Sequence, residues 1–341
     1  MGFNFKTFFR SKRRNLARTN GVLIIVILVL IAFSILNRYF FTAANMFSLL
    51  RVMSTLAILA MGQLLVIVSG EIDLSVGSIF GLGAMLTGVL WISGVPVYFA
   101  LLIALLMGVV SGMITAWLVT YVRVPSFVAT LGMMNLLSGI TLLISNSRSI
   151  SPAYILQDLP GSHVKELKLF NGLAGLKLPF GIPMQVVWMI ILAIIMGILY
   201  NRFLFGFRLR AIGGNPEAAK LMKLPVTKYK FLVFIICGLF ASLGGILDLS
   251  FIGTADPSGG GTLTFPVFAA VIIGGASLSG GRGSVAGTLI AAFLLVVLQN
   301  GLSLVGVGAF VQLLFVGVVT IGAVALDSVS KRKANPLGEG I

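Results

Sequence analysis

Leu64-Leu65-Val66-Ile67-Val68-Ser69-Gly70-Glu71-Ile72-Asp73-Leu74-Ser75-Val76-Gly77 is an apolar run broken by a glycine and two carboxylates, with a second apolar run following at once. An ionisable group in hydrocarbon costs several kcal/mol, about 3 on translocon scales, so it faces a wet cavity or a partner and marks a functional site by default. Asp and Glu together number only nine in 341 residues. Two of them within three positions therefore need a reason. Either Glu71 and Asp73 shape a polar route, or they sit at a helix end and cap the helix that begins near Leu74.

The flanking runs decide the fold. With 58% hydrophobic and 10% charged residues and a mean hydropathy of +1.10, no packed soluble domain hides this much apolar surface from water. Apolar stretches of roughly 20 residues, enough to cross a hydrocarbon core as helices, recur along the chain. They are expected at 21–41, 52–69, 74–93, 97–121, 126–145, 185–204, 230–252, 266–280, 285–305 and 309–328. The sequence thus predicts an all-α, polytopic transmembrane bundle of about ten helices, some short or broken. A single membrane domain, 21–328, lies between a basic N-tail, 1–20, and a C-tail, 329–341. The first run follows Lys6, Arg10, Lys12, Arg13, Arg14 and Arg18 but lacks a small-residue cleavage site, so an uncleaved helix is expected rather than a signal peptide. Phe5, Phe8 and Phe9 interleaved with these bases suggest a short interfacial helix before it.

An even number of spans puts both termini on one side. With the N-terminus cytoplasmic, only Arg38, Arg51, Arg148, Lys165, Lys168 and Lys177 fall outside, and every other Lys and Arg, including Lys331, Arg332 and Lys333, falls inside. This is the asymmetry of the positive-inside rule. It also accounts for the net charge of +15 without nucleic acid, because the bases lie in the loops between spans.

Several chemistries are excluded. One cysteine, Cys237, permits no intrachain disulfide, and one histidine, His163, leaves no His/Cys metal cage. No P-loop motif occurs, and no base stands within sequence reach of a membrane serine, so neither an ATPase site nor a catalytic residue is expected in this chain.

Two loops stand apart. The outer one, 146–184, carries Pro152, Pro160, Gly161, Gly172, Gly175 and Pro179 and reads as an irregular cap with one short helix. The inner one, 203–229, contains Asn215-Pro216-Glu217, which combines an N-cap residue, a proline for the first helical position and a first-turn acid. Ala218, Ala219, Lys220, Leu221, Met222 and Lys223 continue it until Pro225. Such a helix is too short to stand without packing on something.

Gly77-x-x-x-Gly81, Gly108-x-x-x-Gly112 and Gly283-x-x-x-Gly287 have the spacing that lets helix backbones approach closely in lipid. Val66 to Gly70 followed by Leu74 to Gly77 is echoed by Val271 to Gly275 followed by Leu278 to Gly281, and paired glycine-interrupted segments point to broken helices beside a transport pathway. Gln63, Asn135, Gln299, Asn300 and Gln312 place neutral hydrogen-bonding groups at membrane depth, suited to a polyol or to bonds between helices. As pathway residues the sequence offers Glu71, Asp73, Ser75, Asn135, Gln299 and Asn300. Asp248 is a third acid, near the outer end of its span.

Four blocks in order carry a family resemblance: Gly70-Glu71-Ile72-Asp73-Leu74-Ser75-Val76-Gly77-Ser78; Pro125-Ser126-Phe127-Val128-Ala129-Thr130-Leu131-Gly132; Ala211-Ile212-Gly213-Gly214-Asn215-Pro216-Glu217-Ala218-Ala219; and Gly274-Gly275-Ala276-Ser277-Leu278-Ser279-Gly280-Gly281-Arg282-Gly283-Ser284. The chain resembles the ribose and galactose class of ABC importer permeases of the bacterial inner membrane. It departs from their pattern at Glu71, where a glycine is usual, and at Leu263-Thr264-Phe265-Pro266, where two acids are usual. The resemblance implies import of a monosaccharide or similar polyol by alternating access. It implies a second permease subunit, identical or not, a cytoplasmic ATP-binding subunit that holds the ATP and magnesium, and an extracytoplasmic sugar-binding protein. It also implies that Asn215, Pro216, Glu217, Ala218, Ala219 and Lys220 form the helix that couples to the ATPase. The rival reading is an ion-coupled secondary transporter using Glu71, Asp73 or Asp248 as a proton relay.

Overall fold

The computed structural model describes residues 5–156, 162–176, 178–258 and 260–334. The first four residues of the N-tail, Pro160 and Gly161 of the outer loop, Lys177 and the C-tail beyond Ala334 lie outside the described residues. The described residues form an all-α bundle: α1 (Phe5–Leu36), α2 (Ala43–Val68), α3 (Val76–Ile92), α4 (Val97–Thr120), α5 (Ser126–Ser145), α6 (Pro152–Leu156), α7 (Ser162–Ala174), α8 (Met184–Asn201), α9 (Leu204–Gly214), α10 (Pro216–Leu221), α11 (Val226–Ile252), α12 (Thr264–Ile273), α13 (Val285–Leu304) and α14 (Ala309–Ala334).

Six of these, α2, α4, α5, α8, α11 and α13, are long and apolar enough to cross a membrane, and shorter apolar helices cover Gly21–Leu36, Val76–Ile92, Thr264–Ile273 and Ala309–Gly322. Together they occupy the ten stretches expected from sequence. Pro96, Pro125, Pro183 and Pro225 stand immediately before α4, α5, α8 and α11. Proline suits a helix start because its fixed φ is already helical and its missing N–H would have no helical acceptor there. Pro225 thus opens α11; α10 has already closed at Met222 and at Lys223, which takes φ +58°.

α11, 27 residues and about 40 Å long at 1.5 Å per residue, is the ruler of the molecule. At its Val226 end it packs beside α10. Near its Ile252 end the Ser250 hydroxyl donates to Phe170 O at 2.6 Å and accepts from Ala174 N at 3.0 Å, tying down α7. α2 and α11 are the enclosed centre of the bundle, and α4, α5 and α8 present most of their surface outward. α4 crosses α11 on glycine: a Cβ on Gly238 would lie 2.2 Å from Gly108 O. The Gly108/Gly112 spacing therefore produces the close approach it predicts.

The structure departs from the sequence reading at four places. α1 is continuous from Phe5, so among the described residues no separate interfacial helix precedes the first span; the weak helix formers Thr19, Asn20 and Gly21 at its junction are too few to break it. α9 fills the first half of the inner loop, where Gly206, Leu209, Ile212 and Gly213 form a buried face at helical spacing. The outer loop holds two helices, α6 and α7, rather than one. α12 stops at Ile273 instead of reaching Gly280, because Gly274 and Gly275 turn the chain, the latter at φ +98°.

Candidate functional site

The α10 end of the bundle is a knot of backbone. Gly281 N donates to Val68 O at 2.8 Å, joining the segment after α12 to the last turn of α2. Gly213, on the last turn of α9, sits between them: a Cβ there would lie 1.8 Å from Val68 O and 2.7 Å from Gly281 N. Gly280, at φ +78°, packs on Gly213 O and on the backbone of Gly70. Beside Gly70, Ile72 N donates to the Ser126 hydroxyl at 3.3 Å. All four sequence blocks thus meet around residues 68–72.

From this knot α10 projects. Asn215 caps it, its Oδ1 accepting from Ala218 N at 3.0 Å, with Pro216 as the first helical residue and Glu217 in the first turn. Ala219 packs inward, whereas Glu217 and Lys220 form an exposed pair at 3.6 Å. An exposed i,i+3 pair stabilises little. Leu221 and Met222 are 85% and 77% exposed, leaving an apolar tip on a helix of six residues.

Toward the centre, Glu71 forms an ion pair with Lys230 on α11, both side chains largely enclosed. Asp73 is 1% exposed. Its Oδ1 accepts from Ser75 N at 2.8 Å and from the Ser75 hydroxyl at 2.6 Å, and the Cys237 thiol lies beside the carboxyl. Ser75 occupies the N-cap position of α3 without making a side-chain cap bond, so the local turn is held by Asp73 in the manner of an Asx turn. Gln63 and Cys237 are fully buried alongside, with the thiol donating to Gln63 Oε1 at 3.6 Å.

α3 and α12 are 17 and 10 residues long, so about 26 and 15 Å; neither alone covers a hydrocarbon core of about 30 Å. Their N-terminal ends meet inside the bundle. Gly77 and Gly260 touch backbone to backbone, a Cβ on either lying within 2.2 Å of the other's carbonyl oxygen, and the Thr264 hydroxyl donates to Leu74 O at 3.4 Å. The echoed glycine segments therefore bracket two shortened helices that abut.

On the side of this junction away from α10 lies a chamber of about 650 Å³, lined by α2, α3, α11, α12, α13, α14 and the 254–263 segment. Arg51, Asp248, Gln299 and Gln312 contribute its long polar side chains. Arg51 Nη1 lies 3.8 Å from Asp248 Oδ1, and its guanidinium stacks over Phe251 at 4.5 Å from the ring centroid. Among the pathway residues named from sequence, Gln299 lines this chamber. Asn300 exchanges two amide hydrogen bonds with Asn45, at 2.9 and 2.8 Å, joining α13 to α2. Asn135 is exposed on the outward face of α5. Glu71, Asp73 and Ser75 lie at the break between α2 and α3. Arg51 escaped the sequence reading because a single arginine near the start of a span looks like an interfacial base; its signal was Asp248, an acid near the same end of another span.

Comparison with known proteins accounts for this architecture. A family model described as "Branched-chain amino acid transport system / permease component" matches residues 45–324. The chain is 38% identical over 307 residues to the ribose import permease protein of Escherichia coli K12, covering 89% of this chain and 92% of that protein. It is 36% identical over 307 residues to the ribose import permease protein of Bacillus subtilis, covering 90% of each. To the xylose transport system permease protein of Escherichia coli K12 it is 33% identical over 344 aligned residues, covering 86% of this chain and 87% of that one. The chain belongs to this family of multi-pass permease components of membrane transport systems.

Proposed function

We propose that this chain is the inner-membrane subunit of an ATP-driven importer for a monosaccharide or similar polyol, with both termini cytoplasmic. The observation that carries the reading is the knot at Gly213: the capped helix α10 is tied through one glycine to the breaks that follow α2 and α12. A cytoplasmic ATP-binding subunit that grips α10 by Glu217, Leu221 and Met222 pulls on both breaks together, because Gly213 leaves no slack between Val68 and Gly281. The break after α2 leads directly into the start of α3, and the break after α12 holds the far end of that helix, whose own start abuts α3 at the floor of the chamber. Separation or closure of the two starts alternates access to the polar space above. ATP and magnesium belong to the partner subunit, an extracytoplasmic binding protein delivers the sugar, and a second permease chain completes the complex. The names of the ribose and xylose relatives support the choice of solute class.

The carboxylates favour this reading over an ion-coupled carrier. Glu71 is held by Lys230 and Asp73 by Ser75, and among the described residues no chain of acids leads from one end to the other. The test is reconstitution of the full chain with the ATPase and binding protein encoded beside it. Uptake of labelled ribose or xylose is expected only with an ATPase able to hydrolyse ATP, and Glu217→Arg is expected to reduce ATPase co-purification while membrane insertion stays normal. Sugar uptake by this chain alone, driven by a proton gradient, overturns the proposal.

A further inference from the structure

The chamber beyond the α3/α12 junction has the chemistry of a binding site rather than of a passive vestibule. Its volume of about 650 Å³ falls within the range of roughly 300–1,000 Å³ typical of small-molecule sites. Arg51 and Asp248 face it as a loose pair: 3.8 Å exceeds the roughly 2.7–2.9 Å of a charge-assisted hydrogen bond, so each group retains unused hydrogen-bonding capacity. Both side chains are about one-fifth exposed, 21% and 22%. Stacking on Phe251 fixes the guanidinium plane, and the Thr55 hydroxyl lies beside the Asp248 carboxyl. Preorganised donors and acceptors of this kind bind hydroxyl groups at low entropic cost.

The charge balance narrows the solute. Arg51 and Asp248 offset each other, and the remaining chamber acid, Asp256, is turned onto its own loop, accepting from Ser258 N at 2.7 Å and from the Ser258 hydroxyl at 2.8 Å. No uncompensated cation remains for a phosphate or a carboxylate. Gln299 adds an amide, Gln312 adds the oxygen of one whose Nε2 donates to Val307 O at 2.8 Å, and Phe80, 5% exposed, forms part of the apolar wall. We infer that this chamber is a solute site within the permease itself, that it takes an uncharged, hydroxyl-rich molecule, and that Arg51 and Asp248 recognise it by bridging to its hydroxyls. The inference rests on the sugar-importer reading and adds a place where the solute rests in this chain.

The test uses a thiol on the chamber wall of the full chain in membrane vesicles, with no partner protein. Thr262 is exposed and lines the chamber, and the native Cys237 is fully buried, so Thr262→Cys supplies the reactive group. Ribose or xylose at millimolar concentration is expected to slow maleimide labelling of this variant several-fold, and leucine is not. Arg51→Met, Asp248→Asn and Gln312→Leu, each in the Thr262→Cys background, are expected to remove most of that protection, about tenfold in the sugar concentration required. The exchanged pair Arg51→Asp with Asp248→Arg separates recognition from structure: a purely structural ion pair regains protection on exchange, and recovery there overturns the inference. Absence of sugar protection in Thr262→Cys also overturns it, even if ATP-dependent sugar uptake by the complex is intact. If such uptake is absent, the importer reading fails as well.

Discussion

Glu71 is one of two places where the chain departs from the sequence pattern it resembles, and the structure gives it a partner on another helix. Lys230 stands one turn inside α11 and holds the carboxylate across the break between α2 and α3. Removing one member of an enclosed ion pair costs about 3–5 kcal/mol because the other is left buried and uncompensated, whereas replacing both with apolar groups is often neutral. Glu71→Leu is therefore expected to lower the thermal stability of the detergent-solubilised protein clearly more than Glu71→Leu with Lys230→Leu. Equal losses in the two would mean that the pair contributes nothing. A lysine 159 positions away is invisible to any reading of neighbouring residues, and that is why sequence left the role of Glu71 open. Asp73 was more legible, since the Asp-Leu-Ser spacing at a helix start is a local signal and its bonds to Ser75 are local.

At the scale of elements, the spans were readable because hydrocarbon demands long apolar helices and because prolines and glycines mark their ends. The start of α5 after Pro125 and the cap of α10 at Asn215 follow from residues at those positions. The meeting of α9 with two helix breaks did not, because a tertiary contact among glycines has no periodicity. That contact is testable: a Cβ on Gly213 would stand 1.8 Å from Val68 O, and its three nearest neighbours are all backbone atoms, which cannot swing aside as a side chain does. Gly213→Ala is expected to destabilise the protein by about 1–3 kcal/mol or more and to abolish uptake. Gly197→Ala on α8, where nothing lies within 4 Å of the added carbon, is expected to leave transport intact and to hold or slightly raise thermal stability, since Ala favours a helix interior over Gly. Similar effects from the two substitutions would show that the knot has slack.

For the whole molecule, the distribution of Lys and Arg predicts which end faces the cytoplasm, and the fold separates the two ends by the length of α11. Tyr154 in the outer loop and Glu217 on α10 are both highly exposed, at 73% overall and 86% for the side chain, and each suits a reporter cysteine against the silent background of Cys237. In intact cells a membrane-impermeant maleimide is expected to label Tyr154→Cys and to spare Glu217→Cys, with the order reversed in inside-out vesicles. Labelling of both from one face would reject the ten-span topology. Chamber and knot lie at opposite ends of one bundle, an arrangement that charge asymmetry and span counting could frame but that only the packing of α2, α3, α11 and α12 could reveal.

The abutting starts of α3 and α12 also have an electrical consequence. Each helix start carries a partial positive charge of roughly half a unit, and the α2–α3 segment that leads into the first of them holds the buried side chain of Asp73. Two such half-charges facing one another inside the bundle repel, and the polar groups of the Asp73–Ser75 turn stand beside them. A transmembrane potential acts on net charge that moves through it, about 2.3 kcal/mol per unit charge per 100 mV. An uncharged solute of the kind proposed carries no net charge through that field, so the expectation is uptake by the complex that does not change with the membrane potential.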